Sequence, residues 1–267
     1  MMERYSDELA ISGLSTGYAG REVIGNLALP PMEPGQVVSL LGPNAAGKTT
    51  LLRALAGLQA ARGSVRLGDR ELLAMPLASH ARYVTYMPQT LPQRVALSVL
   101  EAVIGAARAS PVDGAADNRA QLVDQAMEVI ERTGIGHLAM AGLDHLSGGQ
   151  RQLASLAQAL VRSPRVLLLD EPISALDLHY QLRVMKLIRA LARERGMIII
   201  MVLHDLTIAA RWSDRVVVMA RGAVAADGPP ATAIDARVLA DVYRVSAQVT
   251  PQGAGLHIDI EDILPLA

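Results

Sequence analysis

The chain has 267 residues, 51% of them hydrophobic, with a formal net charge of -1 and no cysteine. That suffices for one large core, or a core with a subdomain. The balanced charge argues against broad electrostatic attraction to nucleic acid or anionic lipid, and the lack of Cys excludes disulfides and thiolate metal sites.

The start, Met1 to Glu8, is polar and acidic and lacks the basic head and apolar run of a signal peptide. No stretch reaches the roughly 20 apolar residues that span a bilayer. The longest run, Met197 to Leu203, has the length of a buried strand. The expectation is a soluble chain in a reducing cytosol, with any membrane role supplied by a partner.

In chain order, Ile11–Leu14, Val23–Leu29 and Ser64–Leu67 read as short strands of a small antiparallel sheet. Gln36–Leu41 reads as a buried strand, followed at once by the loop Gly42–Thr49 and a helix over Thr49–Leu58. Tyr83–Met87 is a further strand, ended by Pro88. From Leu97 to about Thr133 the pattern is helical, with Leu122, Ala126, Val129 and Thr133 at helical spacing. Asn118 is expected to cap that last helix and Gly134 to end it, with a loop over Ser110–Gly114 before it. Residues 90–145 therefore read as a helical insertion. Strands return at Arg165–Leu169 and Met197–Leu203, with a helix over Leu178–Arg195 ended by Gly196. Alternating strands and helices imply a parallel sheet, whose ligands bind beyond the carboxyl ends of the strands. The glycine loop, Asp170-Glu171 and His204 all follow strands and should share that edge. Beyond Gly228 the chain is weakly patterned.

Gly42-Pro43-Asn44-Ala45-Ala46-Gly47-Lys48-Thr49 matches G-x-x-x-x-G-K-[ST]. In such a loop backbone N–H groups wrap phosphates, the lysine reaches the outer ones and the hydroxyl binds Mg²⁺. Lys48 is one of only two lysines, with Lys186, against 23 arginines; a compact ammonium serves a phosphate where the guanidinium fork does not. Ala45 stands where many such loops have glycine, and if that position needs positive φ it is strained. Leu167–Glu171 is an apolar strand ending in two carboxylates, with Asp170 expected to hold Mg²⁺ and Glu171 to act as general base. The bland alternative is a solvated acidic turn.

Leu146-Ser147-Gly148-Gly149-Gln150 opens a helix, and glycine-rich backbone at a helix N-terminus is an anion site; the plain alternative is a glycine turn capping a helix. One nucleotide site needs only one such surface, so the two together point to half-sites completed by a second copy. His204 after its strand favours a terminal-phosphate contact over a structural role. Gln89 is either a Mg²⁺ or water contact or a surface turn residue. Tyr18 either stacks on a purine or is a half-buried strand residue. His80, His137, His145, His179 and His257 show no metal-ligand spacing.

Together these motifs resemble the ATP-binding cassette (ABC) transporter ATPases over about residues 9–228. Gly42–Thr49 corresponds to Walker A, Asp170-Glu171 to the end of Walker B and Leu146–Gln150 to the signature motif. Gln89 falls at the Q-loop, Ser174–Asp177 at the D-loop, His204 at the switch histidine and Tyr18 at the adenine-stacking aromatic. Ile173 replaces a commonly polar residue. The resemblance implies an α/β P-loop NTPase (RecA-like) core with a mainly parallel sheet, an N-terminal antiparallel β subdomain and an α-helical insertion subdomain. The core would be 1–89 and 146–228, the helical subdomain 90–145 and a C-terminal extension 229–267.

It further implies an ATPase using ATP and Mg²⁺, with Glu171, His204 and Gln89 catalytic and Thr49, Gln89 and Asp170 at the metal. Nucleotide contacts would include Tyr18, Gly42 to Thr50, Ser147 to Gln150 and Asp177. The implied partners are a second copy in a head-to-tail ATP sandwich, permease subunits and, indirectly, an external substrate-binding protein, with no nucleic acid. The chain would sit at the cytoplasmic face of the plasma membrane. Residues 177–181 and 202–211 look like the ATPases of iron-chelate importers (ferric siderophore first, haem or vitamin B12 next). The rivals are a soluble ABC ATPase without transport, an importer ATPase for another substrate class, a non-hydrolysing nucleotide-binding module and a small P-loop kinase.

Overall fold

The computed structural model describes residues 7–89, 96–109 and 119–265. The chain opens with a long antiparallel pair, β1 (Leu9–Tyr18) and β2 (Arg21–Met32). β3 (Val37–Leu41) follows, then α1 (Lys48–Leu55). β4 (Ala61–Leu67) and β5 (Arg70–Glu71) return to the first sheet, which runs β2-β1-β4-β5 and is antiparallel throughout. This is the expected small sheet, with strands longer than the apolar stretches alone indicated. One turn of helix, α2 (Leu77–His80), leads to β6 (Val84–Met87).

α3 (Val99–Arg108) starts at a capping box in which Ser98 and Glu101 bond each other's backbone N–H. α4 (Arg119–Thr133) ends at Gly134, where φ is 88°. The expected Asn118 cap and the 110–114 loop lie outside the described residues. α5 (Gly148–Leu160) packs on α3, α4 and β6, so it joins the helical part to the sheet. β7 (Val166–Asp170), α6 (Leu178–Arg195), β8 (Ile198–Val202), α7 (Leu206–Trp212), β9 (Arg215–Ala220) and β10 (Ala223–Gly228) complete the alternation. α6 ends at Gly196 in the left-handed conformation, as expected of a glycine C-cap.

The second sheet has the order β10-β9-β3-β8-β7-β6, parallel except for β10. β3, β7 and β8 are buried along their whole length, because a parallel sheet is covered on both faces. Side-chain alternation splits the core in two. Val37, Leu167, Leu169, Ile199 and Met201 face the helices α3 to α7. Val38, Leu40, Leu168, Ile200 and Val202 face α1 and the antiparallel sheet.

The segment beyond Gly228 is structured. Short helices α8 (Pro230–Ala233) and α9 (Ala236–Val238) and a π turn over Leu239–Tyr243 lead to a hairpin, β11 (Val245–Gln252) with β12 (Gly255–Ile263). Ala247 and Leu256 of the hairpin are buried, and β12 packs on α7. No helix among the described residues is long and apolar enough to cross a membrane.

Candidate active site

The phosphate loop lies at the carboxyl end of β3, at the edge where β6, β7 and β8 also end. Gly42 has φ of 137°, and a Cβ there would meet the Met219 carbonyl oxygen at 2.1 Å, so only glycine fits. Gly47 enters α1 at φ of 101°. Ala45 stands at φ of 62°; the position does demand the left-handed region, and alanine occupies it. Lys48 is 6% exposed, and its ammonium donates to the carbonyls of Gly42 at 2.6 Å and Pro43 at 2.9 Å. Burial lowers the Lys48 pKa, while Glu171 and Asp170 pull it back up. Asn44 and Thr49 are exposed on the loop. Thr50 is buried and donates to the Tyr18 hydroxyl at 3.4 Å. That places Tyr18, exposed at the end of β1, beside α1.

Across the edge, Asp170 closes β7 and is 1% exposed. Thr49 Oγ1 donates to its Oδ1 at 3.2 Å and Tyr86 Oη to its Oδ2 at 3.0 Å. Burial raises the Asp170 pKa, and the two hydrogen bonds and Lys48 partly offset that. The same burial, with Asp170 beside it, pushes the Tyr86 phenol far up. Glu171 holds a left-handed backbone, φ of 53°. Its Oε2 accepts from Gln89 Nε2 at 2.7 Å, and its Oε1 meets His204 Nε2 at 2.5 Å. Gln89, Thr49, Asp170, Glu171 and His204 therefore form one cluster from the ends of four strands, alongside Lys48. Among the described residues no three His, Cys, Asp or Glu converge as a protein metal cage. The Thr49 and Asp170 oxygens instead suit a hard cation that shares its shell with phosphate oxygens and water.

Ser147 to Gln150 stands apart. Among the described residues no hydrogen bond joins it to the phosphate loop. Its polar groups serve its own helix: Gln150 N donates to Ser147 Oγ at 3.3 Å and Ser147 N to Gln150 Oε1 at 2.9 Å. Ser147 and Gly148 are exposed, and a Cβ on Gly148 would meet nothing within 4 Å. Gly149 differs, since a Cβ there would lie 2.9 Å from the Ala175 carbonyl oxygen. Asp177 is exposed, and its carboxylate caps α6 by accepting from Tyr180 N at 3.0 Å.

A family model described as ABC transporter matches residues 30–174. The chain belongs to the ABC transporter family. This ABC chain is 37% identical over 253 residues to the hemin import ATP-binding protein HmuV of Rhodopseudomonas palustris (strain HaA2), covering 91% of this chain and 92% of that protein. It is 36% identical over 256 residues to the protein of the same name from Bordetella avium (strain 197N), covering 91% and 94%. Among solved structures it resembles an inward-facing metal-chelate type ABC transporter, with TM-score 0.78, 23% identity and 96% of this chain matched to 98% of that one. It also resembles a dimeric post-hydrolysis ATP-binding cassette bound to ADP and Pi, with TM-score 0.75, 23% identity and coverage of 83% and 98%. The expected P-loop NTPase fold thus stands, and ATP hydrolysis in support of transport is the activity of this ABC ATPase.

Three contacts at the site were not foreseen from the sequence. Tyr86 holds Asp170. Gln152 of α5 holds the turn after β7. Tyr243 lies against the Gly42 backbone, its phenol pushed up to about 12 by burial, with the Gly42 N–H opposing. Tyr86 sits on a strand that the sequence marked, but nothing local singled out any of the three.

Proposed function

We propose that the chain is the ATP-hydrolysing subunit of an importer for an iron chelate, with haem favoured over ferric siderophore and vitamin B12. It would act as a head-to-tail homodimer on a separate permease at the cytoplasmic face of the plasma membrane, served from outside by a substrate-binding protein. The haem preference rests on the names of relatives aligned over nine-tenths of both chains. The cluster of Lys48, Thr49, Gln89, Asp170, Glu171 and His204 around a phosphate loop carries the hydrolytic reading.

In that reading the loop amides and Lys48 hold the outer phosphates, and Tyr18 stacks on the adenine. Thr49 and Asp170, with Gln89, would hold Mg²⁺, which when bound neutralises phosphate charge. A water oxygen attacks the γ-phosphorus, Glu171 takes its proton, and the bond to the β,γ-bridging oxygen breaks to leave ADP. His204 and Gln89 fix the Glu171 carboxylate from either side. Ser147 and Gly148, both exposed, and the half-buried Gly149 would meet the γ-phosphate held by the partner copy, with Asp177 close by. ATP then closes the dimer and hydrolysis releases it.

The division into core, 90–145 helical subdomain and C-terminal extension supplies the relay. A cavity of about 460 Å³ between β6, α3 and α5, lined by Met87, Leu97, Ala102, Arg151 and Arg162, is the proposed permease seat next to Gln89. The test is ATPase activity with and without reconstituted permease, together with uptake by a knockout. Permease-stimulated hydrolysis and loss of haem uptake are expected. Unchanged haem uptake with lost siderophore uptake would replace the cargo, and unstimulated hydrolysis would favour a soluble ABC ATPase.

A further inference from the structure

We propose that Gln152 is a positioning residue that links the two half-sites carried by one chain, tying the signature helix to the backbone of the catalytic carboxylate. The proposal rests on the head-to-tail reading, which alone places Ser147 at a partner's phosphate.

Gln152 lies on α5 just past Ser147–Gln150, and its side chain is 5% exposed. Its Nε2 donates to the Glu171 carbonyl at 2.6 Å, and its Oε1 accepts from Ala175 N at 3.1 Å. One partner is a pure acceptor and the other a pure donor, so only a carboxamide in this orientation satisfies both. The Glu171 backbone needs such a hold, because φ of 53° is a region that residues with side chains rarely occupy. Ser174 adds its own bonds to the same carbonyl, from Oγ at 3.2 Å and N at 3.4 Å. Gln181 of α6 clasps the turn from the other side, donating to the Leu176 carbonyl at 3.0 Å.

Gly149 completes the junction. Any side chain there would press on the Ala175 carbonyl, so the first turn of α5 abuts the same segment that Gln152 grips. A displacement of Ser147–Gln150 moves a helix that is bonded at its second turn to Glu171 and Ala175. The Glu171 carboxylate in turn engages His204 and Gln89. Occupancy of the partner's phosphate is thereby reported to this chain's own general base.

Spatial adjacency alone does not establish coupling, so the test separates coupling from stability. Gln152→Glu keeps the volume and the acceptor for Ala175 but sets an oxygen against the Glu171 carbonyl. Gln152→Leu removes both bonds. Each variant is assayed for single-chain binding of a fluorescent ATP analogue, for kcat and Hill coefficient in ATP hydrolysis, and for ATP-dependent dimerisation. The expected result is unchanged nucleotide Kd, kcat reduced about tenfold or more, and a Hill coefficient falling from near two toward one. If Gln152→Leu does not fold, the isosteric Gln152→Glu decides. Unaltered kcat and Hill coefficient in a folded variant overturn the proposal while leaving the sandwich intact. Equal losses of Kd and kcat with a lowered Tm reduce Gln152 to a packing role and overturn it as well. A wild-type chain that hydrolyses ATP with no ATP-dependent dimer overturns both readings together.

Discussion

At the phosphate loop Lys48 is buried and bonded to two carbonyls, and five more polar side chains from four strand ends close around it. At the signature turn Ser147 and Gly148 are exposed, and the Ser147 and Gln150 side chains bond within their own helix. Both stretches have the backbone of an anion site, but only the first has a buried ammonium, two carboxylates and a histidine gathered beside it. In the proposed head-to-tail dimer the signature turn is half of an interface, which a partner's phosphate would complete. Under the proposed dimer, the contrast teaches that chemistry and trigger would be stored at separate places, joined through α5.

The sharpest way to break the contrast is to disarm the first region. Glu171→Gln should cut hydrolysis by roughly 10²–10⁴-fold while ATP binding persists and a dimer accumulates on size exclusion. Near-normal turnover would remove Glu171 as the base. Disarming the second region should do something different. Ser147→Arg places a large cation at an exposed helix start, and steady-state hydrolysis should fall by about tenfold or more with single-chain ATP affinity intact. Lost binding in that variant would mean that the turn serves its own chain's nucleotide.

A smaller effect concerns pH. Burial raises the folded pKa of Asp170, so the folded state holds that proton more tightly than the unfolded chain. The corresponding stability is present in full below the ordinary Asp range and is lost as pH rises through the folded value. Without nucleotide or Mg²⁺, Asp170→Asn should therefore gain Tm over wild type as pH rises from about 4 toward neutrality, by a few °C on the order expected for this size. A difference that does not change with pH would refute the burial argument. The smallest expected effect is at Ala45. Relief of its left-handed strain, roughly 1–2 kcal/mol, less the added unfolded-state freedom of glycine, should leave Ala45→Gly more stable by about 0.5 kcal/mol, measurable by denaturant midpoint.

The strand ends were legible because buried parallel strands are short apolar runs and their chemistry follows directly in sequence. Gly42, Asp170 and His204 needed no three-dimensional information to be placed at one edge. Ser147–Gln150 could be read as a capped helix start, because its capping box is local, yet the close approach of Gly149 to Ala175 depends on a turn some 25 residues away. Gln152 was invisible for the same reason, since a glutamine inside an amphipathic helix has no local mark of burial. The C-terminal hairpin escaped notice because β12 is exposed along most of its length, and a strand with only Leu256 fully buried gives no alternation to read.

The backbone of Glu171 has a consequence for how such proteins drift. This proposed base sits in a conformation that glycine adopts freely. Exchanging it for glycine would discard the base and, with it, strain on the order of 1 kcal/mol. The freedom of glycine in the unfolded chain and the lost His204 and Gln89 bonds offset that gain, so the fold resists the loss of this base only weakly. A duplicated copy freed from selection for turnover is one substitution from a descendant that keeps the phosphate loop and lacks the proposed base. Asymmetric pairs, with one working and one silent half-site, lie one step from the proposed symmetric dimer.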